Sequence, residues 1–248
     1  MIVYIHGASA TAESFTHIRQ FVRDHFEEPD IMLEYRSEDG FDHNLQTMMG
    51  TLDDAERLFF VSHSLGGIYS LYLADHYRET TRGGVSLSTP YGGSEQADFA
   101  KYFLPFSRLM KDIGTMSAPM MDSQKIAAPP NWTQIVTTKG QSPWIKEPND
   151  GVVTIKSMRS RQDFELIEMP LNHYEVVLSN QVVNIILDKI DQSLQSVLNM
   201  IVCVCRNIRE SDFQTKEELD KRIMELDHNC GQCQQYCAQL KELLYEVE

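Results

Sequence analysis

The first two hundred residues contain no cysteine; all five cysteines of this 248-residue chain lie after residue 202. A disulfide framework for the body of the protein is therefore excluded, and a reducing, cytoplasmic setting is the simplest expectation. Basic residues are scarce as well. Lys and Arg total 22 against 36 Asp and Glu, a net charge of −14. A nucleic-acid binder needs a basic face, so that class is set aside, and adhesion to anionic membranes is disfavoured. No run approaches the roughly 18 apolar residues of a membrane span. The first residues, Met1-Ile2-Val3-Tyr4-Ile5-His6-Gly7, lack the basic start, the long apolar segment and the small-residue cleavage site of a signal peptide.

What is present is a rhythm. Apolar runs at 2–5, 31–35, 58–62, 84–88, 133–137 and 164–167 read as strands, and the segments 14–26, 43–56 and 67–77 between them read as helices. Alternating strands and helices imply parallel βαβ units, with a sheet covered on both faces. The stretch 94–127 interrupts the rhythm with Phe99, Tyr102, Phe103, Phe106, Leu109, Met110, Met116, Met120 and Met121.

From about residue 177 the pattern changes. Val183, Leu187, Ile190, Leu194, Val197, Ile201, Val204 and Ile208 repeat at alternating spacings of four and three. A polar turn follows at 210–212. Thr215 and Glu218 then fit a capping box, and a second heptad series runs from Leu219 to Val247. Two such arms predict an antiparallel helical hairpin over 181–248, suited to pairing with a second copy or a partner protein. Cys203, Cys205, Cys230, Cys233 and Cys237 invite a zinc reading. However, the last three are seam positions, and the turn places Cys203 opposite about residue 221, roughly 12 Å from Cys230. They are read as packing residues, with no metal and no cofactor expected.

Ser62-His63-Ser64-Leu65-Gly66 follows the third apolar run and opens a helix. A serine flanked two residues away by small residues at a strand-to-helix turn has the form of a nucleophile elbow. A serine hydroxyl needs an imidazole to take its proton and a carboxylate to orient that imidazole. At an elbow these follow in the order serine, acid, histidine. His173 and His228 are the available bases. His228 sits inside the second heptad helix, which leaves His173, just past the last strand. The acid is expected in the Asn149-Asp150-Gly151 turn, as Asp150, with Asp122 and Asp163 as alternatives. The oxyanion donors are the amides of Leu65 and of Ala8 in the His6-Gly7-Ala8 loop. His63 reads as structural, and His6 as ordering that loop.

The ordered set resembles the α/β-hydrolase family, in its lipase-like branch. The matching pieces are His6-Gly7, the elbow at 62–66, Ser88-Thr89-Pro90-Tyr91-Gly92-Gly93-Ser94, Asn149-Asp150-Gly151-Val152-Val153 and Asn172-His173. They span residues 1 to about 190. Ser62 stands where the family usually has glycine, and Tyr91 where histidine is common. The resemblance implies an α/β-hydrolase catalytic domain over 1–180, with a reduced, mostly parallel sheet of about six strands that begins at the family's third strand. It further implies a serine esterase of acyl substrates, small-molecule or lipid, acting through Ser64, Asp150 and His173. A thioesterase or acyltransferase on the same residues is the alternative. The insert 94–127 then reads as a lid, with Tyr91, Phe103, Phe106 and Met110 as substrate contacts. The competing reading is a non-catalytic scaffold whose hairpin mediates assembly.

Overall fold

The computed structural model describes residues 1–8, 10–53, 55, 57–93, 114–143 and 145–210, with side chains described up to 195. Six strands form one sheet: β1 (Ile2–Ile5), β2 (Asp30–Leu33), β3 (Leu58–His63), β4 (Thr81–Leu87), β5 (Trp132–Thr137) and β6 (Glu165–Met169). Their order across the sheet is β2-β1-β3-β4-β5-β6, and every pairing is parallel. Among the described residues the helices are α1 (Thr16–His25), α2 (Phe41–Leu52), α3 (Leu65–His76), α4 (Ala118–Ser123), α5 (Ile155–Met158) and α6 (Asn180–Glu210).

The inner strands are buried on both faces, as in a helix-covered parallel sheet. Every residue of β1 and β3 is buried, and so is every residue of β4 and β5. Helix α1 presents Ile18 and Val22, the helical turn before it presents Phe15, and α2 presents Phe41, Leu45, Met48 and Leu52. Helix α3 is buried along almost its whole length, from Leu65 through Ala74, because it lies centrally against the sheet.

The expected elements are present, with shifted bounds. The chief difference is β4, which starts at Thr81 and not at Gly84. Thr81-Arg82-Gly83-Gly84 has no strand-like pattern. It is held by its neighbours: Thr81 pairs with Leu58, Arg82 bonds Glu28, and Gly84 lies under the Trp132 ring, where a Cβ would come within 2.6 Å of it.

The chain divides into two compact units, Met1–Ser193 and Leu194–Glu248. The first runs past the expected boundary at 180 because Val182, Val183, Ile186, Ile190 and Ser193 of α6 are buried. The first expected arm of the hairpin is helical, within Asn180–Glu210. The turn after it, the second arm and its cysteines lie outside the described residues. None of the helices described is long and apolar enough to cross a membrane.

Candidate active site

Because all six strands run the same way, the segments that follow them gather at one edge of the sheet, where open α/β sheets place their sites. His6-Gly7-Ala8 follows β1, Ser64 follows β3, Ser88 follows β4, the 138–150 loop follows β5, and His173 follows β6.

Ser64 is the turn between β3 and α3. Its φ is +52° and its ψ −124°, a conformation that costs a non-glycine residue about 1–3 kcal/mol. Two contacts hold it there. Its N–H donates to Leu87 O at 2.8 Å, and the Gly67 N–H donates to Ser64 O at 2.9 Å. Gly66 permits the turn to press on β1, since a Cβ at Gly66 would fall on the Ile5 and His6 carbonyl oxygens. Ser62, in the place of a glycine, is buried and shares a hydrogen bond with Ser70 Oγ at 2.9 Å. The substitution is thus absorbed by a polar partner on α3.

Asp150 and His173 form a buried pair. His173 Nδ1 donates to Asp150 Oδ2 at 2.8 Å, and the backbone reinforces it, with His173 N–H donating to Asp150 O at 3.0 Å. Asp150 Oδ1 accepts from the Val152 and Val153 amides at 3.0 and 2.7 Å, and Oδ2 also accepts from Thr137 Oγ1 at 2.6 Å. Burial pushes the Asp150 carboxyl up, but the donors from His173, Thr137 and Val153 together outweigh it and hold the carboxyl below the usual range. The Asn-Asp-Gly turn is set by Asn149, whose Oδ1 accepts from the Gly151 N–H at 2.8 Å, with Gly151 at φ +103°.

Ser64 and His173 meet through His63. The His63 Nε2–H donates to His173 O at 2.9 Å, and the two rings lie 4.7 Å apart. Burial, followed by the nearby His173, drives the His63 pKa down to about 3, so the ring is neutral. Among the described residues no hydrogen bond joins Ser64 Oγ to His173, and such nucleophile–base contacts commonly tighten only with substrate bound. His63 therefore does more than fill space, as its position in the strand suggested: it ties the His173 loop to the elbow.

The loop after β1 packs on the elbow, since a Cβ at Gly7 would lie 3.2 Å from Ser64 Cβ. His6 orders this loop. Its Nδ1–H donates to Gly7 O at 2.8 Å, its Nε2 accepts from the Tyr35 N–H at 3.4 Å, and its ring stacks on Tyr35 at 4.5 Å. Neither the Ala8 nor the Leu65 amide is matched to an acceptor among the described residues. Two backbone donors beside a serine at a helix N-terminus can stabilise an oxyanion.

The other candidates fall out differently. Asp122 pairs with Lys125 and Asp163 with Arg161, so neither is engaged with His173. Tyr91 is fully buried. Its hydroxyl accepts from Trp132 Nε1 at 3.1 Å and its ring meets Phe164 edge-on, which places it in the core. Phe103, Phe106, Met110 and His228 lie outside the described residues, as does the insert through residue 113. Thr137 was missed by sequence reasoning. Its one signal is its place at the carboxyl end of a predicted strand.

No family model matches the chain, and no curated protein matches it. Solved structures do. A Bacillus licheniformis lipase in its mature form aligns with a TM-score of 0.56 at 16% identity, over 74% of this chain and 89% of that one. A metagenomic carboxyl esterase aligns with a TM-score of 0.57 at 16% identity, over 71% of this chain and 64% of that one. A carboxylesterase of the ammonia-oxidizing thaumarchaeon Nitrososphaera gargenis gives 0.55 at 12% identity, over 79% and 91%. At such identities the likeness carries the fold and not the chemistry. With the all-parallel sheet in the order β2-β1-β3-β4-β5-β6 and the serine turn between β3 and α3, it shows that this chain has the α/β-hydrolase fold.

Proposed function

We propose that the protein is a serine hydrolase that cleaves a carboxylic ester of an acyl chain through an acyl-enzyme on Ser64. The observation that carries this reading is the buried Asp150–His173 pair, set beside a serine in a strained strand-to-helix turn. A carboxylate holding Nδ1–H leaves Nε2 of His173 as the free base. In the reaction Ser64 Oγ attacks the ester carbonyl while its proton passes to His173 Nε2. The Leu65 and Ala8 amides receive the developing negative charge, and the N-terminus of α3 favours it. His173 then returns the proton to the leaving alcohol. Water, activated by the same imidazole, releases the acid and restores Ser64. The neighbouring lipases and carboxylesterases support an ester as the bond cleaved.

The test is covalent labelling by a fluorophosphonate probe together with turnover of p-nitrophenyl esters. Wild-type protein should label at Ser64 and turn over ester. Ser64→Ala should do neither while keeping its circular dichroism spectrum. Unlabelled, folded wild-type protein would favour the scaffold reading.

A further inference from the structure

Two non-glycine residues at the carboxyl ends of neighbouring strands share the same unfavourable φ of +52°: Ser64 after β3 and Ser88 after β4. The proposed chemistry accounts for the first. Nothing in it uses the second, yet Ser88 is fully buried, as are Thr137 and Asp150. Strain that persists at a site points to a use for the residue that bears it.

The hydrogen bonds show where the Ser88 side chain leads. Ser88 Oγ lies 2.8 Å from Thr137 Oγ1, and Thr137 Oγ1 lies 2.6 Å from Asp150 Oδ2. A threonine hydroxyl has one proton. An ionised carboxylate only accepts, so Thr137 gives that proton to Asp150 and must accept from Ser88. The direction of the chain is thereby fixed: Ser88 to Thr137, Thr137 to Asp150. The Met158 sulfur, 3.4 Å from Thr137 Oγ1, is the weaker competitor for the same proton. With His173 on Oδ2 and two backbone amides on Oδ1, Asp150 has four donors, which fills its accepting capacity and leaves the carboxylate no freedom to rotate.

We propose that Ser88 and Thr137 are positioning residues of this reaction: a two-hydroxyl arm, anchored on the strained end of β4, that fixes the Asp150 oxygen to which His173 is bonded. The arm explains why a serine is held at a backbone angle that glycine would adopt without strain. It rests on the assignment of Ser64, Asp150 and His173 as the reacting group, and it adds two side chains that touch neither substrate nor Ser64.

Four variants test it in full-length protein. Thr137→Val keeps the shape and removes the proton. Thr137→Ser keeps the proton. Ser88→Ala removes the hydroxyl and keeps the strain; Ser88→Gly removes both. Thr137→Val should lower kcat roughly tenfold with KM within about twofold, the order of effect of one hydrogen bond to a charged group. Thr137→Ser should recover most of that loss. Ser88→Gly should lose kcat as Ser88→Ala does while melting at a higher temperature than Ser88→Ala. A merely structural hydroxyl would instead let kcat follow stability. Wild-type kcat in folded Thr137→Val or in Ser88→Gly overturns the arm, and Ser88→Gly keeps this test open should Thr137→Val not fold. A wild-type protein that the fluorophosphonate fails to label overturns the Ser64 assignment and the arm with it; a labelled, active wild type with unaffected variants overturns the arm alone.

Discussion

Between pH 7 and pH 5 the folded protein should lose about 2 kcal/mol of stability through a single side chain, His63, and His63→Gln should abolish that loss. The ring is buried and held neutral, with a folded pKa of about 3. In the unfolded chain it returns to about 6.5. The folded value is thus depressed, and the stability involved is present above pH 6.5 and lost as pH falls below it, because only the unfolded state takes up the proton. At pH 7 about a quarter of unfolded chains carry that proton. At pH 5 the unfolded state is favoured by a factor of about 33, or about 2 kcal/mol. The loss continues at about 1.4 kcal/mol per unit toward pH 3. Glutamine is the informative replacement, since its amide nitrogen can donate to His173 O as Nε2 does and it does not titrate. Urea unfolding at pH 7 and pH 5, followed by the fluorescence of buried Trp132, measures both proteins. Asp150, whose depressed carboxyl keeps its contribution down to about pH 4, is common to both and lies below this window. A difference between wild type and His63→Gln that changes by less than about 0.5 kcal/mol from pH 7 to pH 5 would refute the buried, neutral state of His63.

Two further outcomes follow from the elbow. Ser64→Gly should melt roughly 2–4 °C above Ser64→Ala, because relief of about 1–3 kcal/mol of backbone strain exceeds the about 0.5–1 kcal/mol that glycine loses in chain entropy; equal melting temperatures would mean the turn is not strained. Gly66→Ala should cost about 3 kcal/mol, read as a thermal melt roughly 10 °C lower, since its Cβ would meet backbone oxygens of Ile5 and His6 that cannot rotate away; an unchanged melt would show that α3 has room to move off β1.

Much of the fold was legible because its signals are local. The apolar runs of β1 and β3 are long enough to be buried on both faces, and the small residues around Ser64 announce a tight turn. Strand β4 was legible only in its second half. Thr81-Arg82-Gly83-Gly84 owes its strand to Glu28, Leu58 and Trp132, which are distant in sequence. That the first compact unit extends to Ser193 has the same cause. The heptad pattern of α6 is continuous through both the expected boundary at 180 and Ser193, and burial of Val182, Val183, Ile186 and Ile190 ties its first turns to the first unit. Tyr91 illustrates the converse: a motif position near the site in sequence whose ring turns into the core, where Trp132 and Phe164 receive it.

By itself, the sequence determined the succession of strands and helices, the elbow at Ser64, and the order in which an acid and a histidine follow it, because these depend on short-range pattern and on chain direction in a parallel sheet. Only the tertiary structure decided how these parts are held: that the His63 ring reaches the His173 carbonyl, that Thr137 and Ser88 stand behind Asp150, and that Asp122 and Asp163 are taken by other cations. Those facts rest on hydrogen bonds between residues 2 to 110 positions apart. Most of them span distant segments of the chain, and no local pattern encodes such a span; the packing of the strand ends at one edge of the sheet does.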